Sequence, residues 1–220
     1  MRYLVLLLVS LCLFTQVQAQ KKEKVKYVRI ITDSGDIKIK LYNETPAHRD
    51  NFLSLVKQKY YDELLFHFIK QHSIIEGGDP NSNNCNDSTV LGEGNPGYTL
   101  AAEIVDGKYM KRGALVASRR GDKVNPNRES NGSQFFIVQG RKFSMQELSL
   151  IERQKKDTFT DDQKAVYMTE GGVPAWDGMY TVFGEIVEGF DVLDKLMAIP
   201  TKSNGRPVVD IKIWMRIVKR

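Results

Sequence analysis

Three histidines and, beyond the apolar N-terminal run, Cys85 are the side chains with which this sequence could do nucleophilic or metal chemistry, and their spacing supports neither. His48, His67 and His72 are scattered without the short, paired intervals of a zinc site. Cys85 sits in the polar run Asn83-Asn84-Cys85-Asn86-Asp87, with no neighbouring histidine to take its proton. Gly77-Gly78 and the Gly92–Gly97 run are glycine-rich enough for a phosphate cradle. Neither lies between a strand and a helix with a lysine, so both read as turns. Asn43-Glu44-Thr45, Asn86-Asp87-Ser88 and Asn131-Gly132-Ser133 fit the glycosylation pattern and matter only in a eukaryotic secretory pathway.

The elements that must position these residues are short. The chain has 220 residues, 41% hydrophobic, 27% charged and 10% aromatic, which excludes wholesale disorder, collagen and multispan membrane classes. One domain with a full core is expected at this length. Val28–Thr32 and Asp36–Leu41 flank Asp33-Ser34-Gly35 and alternate apolar with polar, predicting a hairpin. Thr45-Pro46 reads as N-cap and first residue of a helix with Phe52, Leu55 and Val56 inward. The middle of the chain, 64–138, is broken by Gly, Pro and Asn into short runs. At 144–168 the pattern turns helical, with Ser144 as a cap, Leu148 and Ile151 inward, then a capping box at Thr160–Gln163 opening a second helix with Val166 and Met168. These helices are predicted as an insertion rather than a second domain. Strand pattern resumes at 181–187, a helix follows at 192–197, and Ile211, Ile213, Met215 and Ile217 alternate in a closing strand. Without a βαβ rhythm, an antiparallel barrel or sandwich with helices at its ends is expected.

The N-terminus has a separate meaning. Arg2 precedes the apolar run Tyr3–Val9, which continues through Leu13 and Phe14 and ends in Thr15-Gln16-Val17-Gln18-Ala19. A charged start, about a dozen apolar residues and small residues before the break describe a secretory signal peptide at 1–19. A membrane span needs about 20 apolar residues, so no stable membrane insertion is expected after cleavage. A lipid anchor on Cys12 is disfavoured by Leu11 before it. Cleavage removes one basic residue and Cys12, lowering the formal charge of +5 by one. The mature protein then holds a single thiol and needs no disulfide to fold. Residues 20–27 form a basic extension, and the modest charge reads as a solvated surface rather than a nucleic-acid footprint. Localisation is predicted as exported, periplasmic or secreted.

Three segments resemble one family. Phe66-His67 followed by Glu76-Gly77-Gly78-Asp79, then Asn131-Gly132-Ser133-Gln134-Phe135-Phe136-Ile137, then Asp177-Gly178-Met179-Tyr180-Thr181-Val182-Phe183-Gly184 are similar to the cyclophilin-type peptidyl-prolyl isomerases, over a domain at 28–218. The resemblance implies a closed eight-stranded antiparallel β-barrel with two capping helices. It also implies rotation of the peptide bond before proline in polypeptide substrates, without nucleophile, metal or cofactor. A monomer is expected.

Carried over by position, the resemblance implies a changed site. Phe68 stands where the family has its catalytic Arg. Ser73 and Ile74 replace the pocket Phe and Met, and Glu76 replaces a backbone-binding Gln. Gln134 and Phe136 match the second Gln and the pocket floor. Ala117, Ser118 and Arg119 fall on the strand that binds substrate backbone. Ala175-Trp176 moves a large ring by one position, making Trp176 a candidate pocket wall, and Tyr180 keeps a position held by His or Tyr. Arg119 is a candidate to supply the missing cation, against the plainer reading of a surface arginine. Glu76 could pair with Arg119 or Arg120. His67 is expected in the core, bonded to backbone. Two functions follow: an isomerase of weakened activity assisting folding, or a proline-segment-binding module or chaperone without isomerase activity.

Overall fold

The computed structural model describes residues 24–220. The signal-peptide segment 1–19 and residues 20–23 of the basic extension lie outside the described residues. The hairpin forms as patterned, with β1 (Lys26–Thr32) and β2 (Gly35–Leu41) in antiparallel register, Ile30 opposite Ile37 and Val28 opposite Ile39. All four side chains are fully buried. Each contributes about 1.5–3 kcal/mol by leaving water.

Six more strands join this hairpin: β3 (Phe66–Lys70), β4 (Ile74–Gly77), β6 (Ala114–Ala117), β8 (Phe135–Val138), β9 (Val182–Glu188) and β10 (Trp214–Val218). Their order is β10-β1-β2-β9-β6-β8-β4-β3, antiparallel throughout. The sheet curls until its edges meet. Glu63 N–H donates to the Ile213 carbonyl at 2.9 Å, Ile213 N–H to Leu64 at 2.8 Å and Phe66 N–H to Ile211 at 2.9 Å. A barrel rather than a sandwich results, which leaves few unpaired edge groups. Two-residue strands β5 (Thr99–Leu100) and β7 (Ser130–Asn131) pair separately. Ile211, Ile213 and Met215 are buried, but Ile217 is 48% exposed. It lies beyond the stretch that Glu63–Phe66 covers, so the alternation outlasts the burial.

Helices α1 (Pro46–Lys57) and α4 (Phe190–Met197) set Phe52, Leu55, Val56, Val192, Leu193 and Leu196 into the main core. The cap of α1 differs from the expectation. Thr45 makes no side-chain cap. Instead the Glu103 carboxylate accepts from the N–H groups of Ala47 at 3.1 Å and His48 at 2.9 Å, placing a negative charge at the positive end of the helix. Glu103 also meets His48 Nδ1 at 2.6 Å, and His48 Nε2 meets Ser130 Oγ at 2.9 Å. These are the contacts of a catalytic serine triad, yet Ser130 is 1% exposed. The row is a structural clasp from α1 to β7.

The insertion forms α2 (Met145–Lys155) and α3 (Asp161–Thr169), each opened by a complete capping box. Its small core is Leu148, Phe159 and Tyr167, with Ile151 against it. Tyr167, rather than Val166 or Met168, is the buried residue of α3; its ring lies 5.7 Å from that of Phe159, and Met168 faces water. No helix among the described residues is long and apolar enough to cross a membrane.

Candidate functional site

Cross-strand register builds the site. Phe68 on β3 lies opposite Glu76 on β4, Glu76 opposite Phe136 on β8, Phe136 opposite Val116 on β6, and Val116 opposite Val182 on β9. Paired residues share a face, so this row forms one stripe outside the main core. Phe136, Ile74, Val116 and Val182 pack there with Phe68, Trp176 and Tyr180. The Phe136 ring meets Trp176 edge-on at 6.0 Å and Tyr180 at 5.5 Å, and Trp176 lies 5.7 Å from Tyr180. Trp176 therefore packs edge-on against the Phe136 ring. Ala117 does not face it. Successive residues alternate across a strand, and Ala117 packs in the main core while Val116 and Ser118 face the groove.

Beside the aromatic cluster lies a cavity of about 630 Å³, lined by Glu76, Ser118, Arg119, Gln134 and residues of the 92–95 and 120–131 segments. Gln134 is buried and its amide donates to the Gly94 carbonyl. Asp79, fully buried, holds that same loop: its carboxylate accepts from the N–H groups of Asn81, Gly92 and Gly94. Asp79 thus shapes the cavity from beneath. Val124, Asn125 and Glu129 also line it; they sit in a polar loop with no periodicity to mark them.

The charged residues do not combine as expected. Glu76 pairs with neither arginine. Its carboxylate accepts from the Ser118 hydroxyl, and burial raises its pKa, with Ser118 opposing the rise and Asp79 adding to it. Arg119 is not a free surface arginine. Its side chain is 3% exposed, paired with Asp122 at 2.6 Å, bonded to the Met179 carbonyl at 2.9 Å and stacked 4.6 Å from the Tyr180 ring. Arg120 pairs with Glu93 in solvent at 3.1 Å. Phe68 packs under the turn at 201–207. Gly205 has φ +83°, and a Cβ there would fall 2.3 Å from the Phe68 ring. His67 is buried as expected, and burial pushes it down to about 4, so it is neutral at physiological pH.

The sequence pattern described as cyclophilin type peptidyl-prolyl cis-trans isomerase/CLD matches residues 27–216. The chain belongs to this family. A Streptococcus pyogenes protein to which phosphatase and peptidyl-prolyl isomerase activities are ascribed is 34% identical over 189 residues, 84% of this chain and 37% of the relative. A peptidyl-prolyl cis-trans isomerase-like 2 protein of Rhizopus delemar is 31% identical over 88% of this chain and 29% of its own length. The chain thus spans about a third of these two relatives. A solved cyclophilin-type isomerase of Cryptosporidium parvum superposes with a TM-score of 0.67 at 28% identity, covering 90% of this chain and 99% of that one. A second structure of that protein was determined in the presence of the dipeptide Ala-Pro. Within this cyclophilin fold, Phe136, Trp176 and Tyr180 cluster together, and Glu76, Ser118 and Gln134 line the adjoining cavity.

Proposed function

We propose that this protein binds proline-containing segments of polypeptides in the groove between the Phe136 cluster and the Glu76–Gln134 cavity, and isomerises the X-Pro bond weakly. Rotation breaks amide resonance against a barrier of about 20 kcal/mol. A catalyst lowers it by favouring the twisted amide over the planar one. The aromatic wall accepts the proline ring, while the backbone at Ser118 and Gln134, next to the ends of β6 and β8, runs beside it as a partner. The apolar cluster of Phe136, Trp176 and Tyr180 is the observation that carries this reading. Family membership and the Ala-Pro dipeptide used with the Cryptosporidium relative support it.

A cation aimed at the proline nitrogen would stabilise the lone pair that nitrogen regains on twisting. Phe68 offers none, and Arg119 is held by Asp122, Met179 and Tyr180. Loss of one preorganised electrostatic donor costs about 10²–10³ in rate. Isomerisation of an X-Pro tetrapeptide should run at least about a hundredfold slower than by an Arg-bearing relative assayed alongside. Equal rates would overturn the weakened-catalyst reading. The same two observations favour a second reading, a binding module or chaperone; it gains if the peptide binds with no acceleration. The signal-like pattern at 1–19 supports an exported compartment, where such binding would assist folding. No cofactor enters the proposal.

A further inference from the structure

The ring of Trp176 stands on a weak support. It ends a three-residue 3-10 turn, Pro174–Trp176, a geometry with little stability of its own. The barrel contributes two ties: Val173 N–H donates to the Met110 carbonyl at 2.8 Å, and Met110 N–H donates to Asp177 Oδ1 at 2.9 Å. The insertion contributes the others. Lys155 Nζ donates to the Asp177 carbonyl at 2.7 Å and the Pro174 carbonyl at 3.4 Å. Gln163 Nε2 donates to Asp177 Oδ2 at 3.0 Å. One ligand comes from the last turn of α2 and the other from the first turn of α3, and together they grip the turn at both its ends.

The insertion is built stiffly for its size. Helices of 11 and 9 residues are marginal alone, yet each carries a full capping box. Glu152 Oε1 joins them by accepting from Phe159 N–H at 2.8 Å and pairing with Lys164 at 3.0 Å. Lys156, with φ +54°, ends α2 immediately after Lys155, whose ammonium lies 5.3 Å from the Phe159 ring. We infer that the α2–α3 pair braces the aromatic wall of the groove, with Lys155 and Gln163 as positioning residues that hold the 174–177 turn, and through it Trp176, against Phe136. This rests on the peptide-binding reading only for its functional consequence; the mechanical coupling stands apart from it.

The test separates the two. The chain has two tryptophans, so Trp214→Phe leaves Trp176 as the lone indole. In that background Lys155→Met and Gln163→Leu should each shift Trp176 emission to the red and raise its quenching by acrylamide. Lys155→Arg, which keeps a charged donor, should restore the parent signal. Lys164→Met, which breaks an ion pair within the insertion without touching 174–177, should change neither. Calorimetric titration with an Ala-Ala-Pro-Phe peptide should show Kd raised about three- to tenfold by Lys155→Met, the range for one lost hydrogen bond, with Lys164→Met at the parent value. Unchanged Trp176 fluorescence in a folded Lys155→Met protein would overturn the brace. So would Lys164→Met reproducing the effects of Lys155→Met, since any loosening of the helices would then suffice. A parent that binds no peptide while its Trp176 responds as described would sink the peptide-binding reading and leave the brace standing.

Discussion

At the scale of single residues, the groove carries an aromatic ring at Phe68 and a half-buried acid at Glu76 opposite it. An arginine placed at position 68 alone would lie beside Glu76, which would capture it. Phe68→Arg combined with Ser73→Phe and Glu76→Gln should raise kcat/KM by about tenfold, equivalent to about 1.4 kcal/mol of barrier. A folded triple variant with no gain would favour the binding module. Glu76 also sets a pH dependence. Its folded pKa lies above the ordinary 4.5, chiefly through burial, so the folded state holds this proton more tightly than the unfolded chain. Stability from this group is present at low pH and is lost as pH rises from 4.5 through the raised value. Glu76→Gln should flatten that limb of a Tm-against-pH curve and leave the variant more stable than the parent at neutral pH. Superimposable curves would contradict the assignment.

At the scale of elements, loops rather than strands make the site particular to this chain. The 201–207 turn reaches over β3 so that the Gly205 carbonyl accepts from Ile69 N–H at 2.8 Å while its Cα side faces Phe68. Gly205→Ala introduces both a positive-φ penalty and a clash, and should destabilise by about 1–3 kcal/mol in chemical denaturation. The loss should be smaller in a Phe68→Ala background, where the clash is relieved and only the backbone penalty remains. Equal losses in both backgrounds would show that the turn does not bear on Phe68. The same logic of one element resting on another runs through the α1 cap, where Glu103 substitutes for Thr45, and through the insertion under Trp176.

At the scale of the whole molecule, a curled sheet with tied edges holds two chemistries apart. The main core, from Val28 to Met215, is apolar and inside; the groove cluster around Phe136 lies on the outer face of the same strands. Substitutions in the groove can therefore alter binding while the barrel persists, which is how a site can diverge on an intact scaffold. Export belongs to this scale also. Protein recovered from the exported fraction should begin at Gln20, open or cyclised, by N-terminal sequencing or mass analysis. A first residue that leaves Tyr3–Phe14 attached would refute the signal-peptide proposal.

Local pattern alone determined much of the fold. Alternation in 28–41, Pro46 at a helix start and the boxes at Ser144 and Thr160 depend on neighbours within a few residues, so they were legible in order. The motif at Asn131–Ile137 marked the family and the groove for the same reason. Tertiary structure decided what depends on partners far along the chain. Glu103 caps a helix 55 residues before it, and Tyr167 displaced Met168 from the insertion core because Phe159 waits to stack on it. Ala117 turned inward while Ser118 faced the groove, a choice set by strand register. Arg119 was claimed by Asp122 and Tyr180, and Glu76 by Ser118, because a buried charge goes to the nearest partner that packing supplies. Residue types limit which pairs could form; the fold brings one set within hydrogen-bonding distance and keeps the others apart.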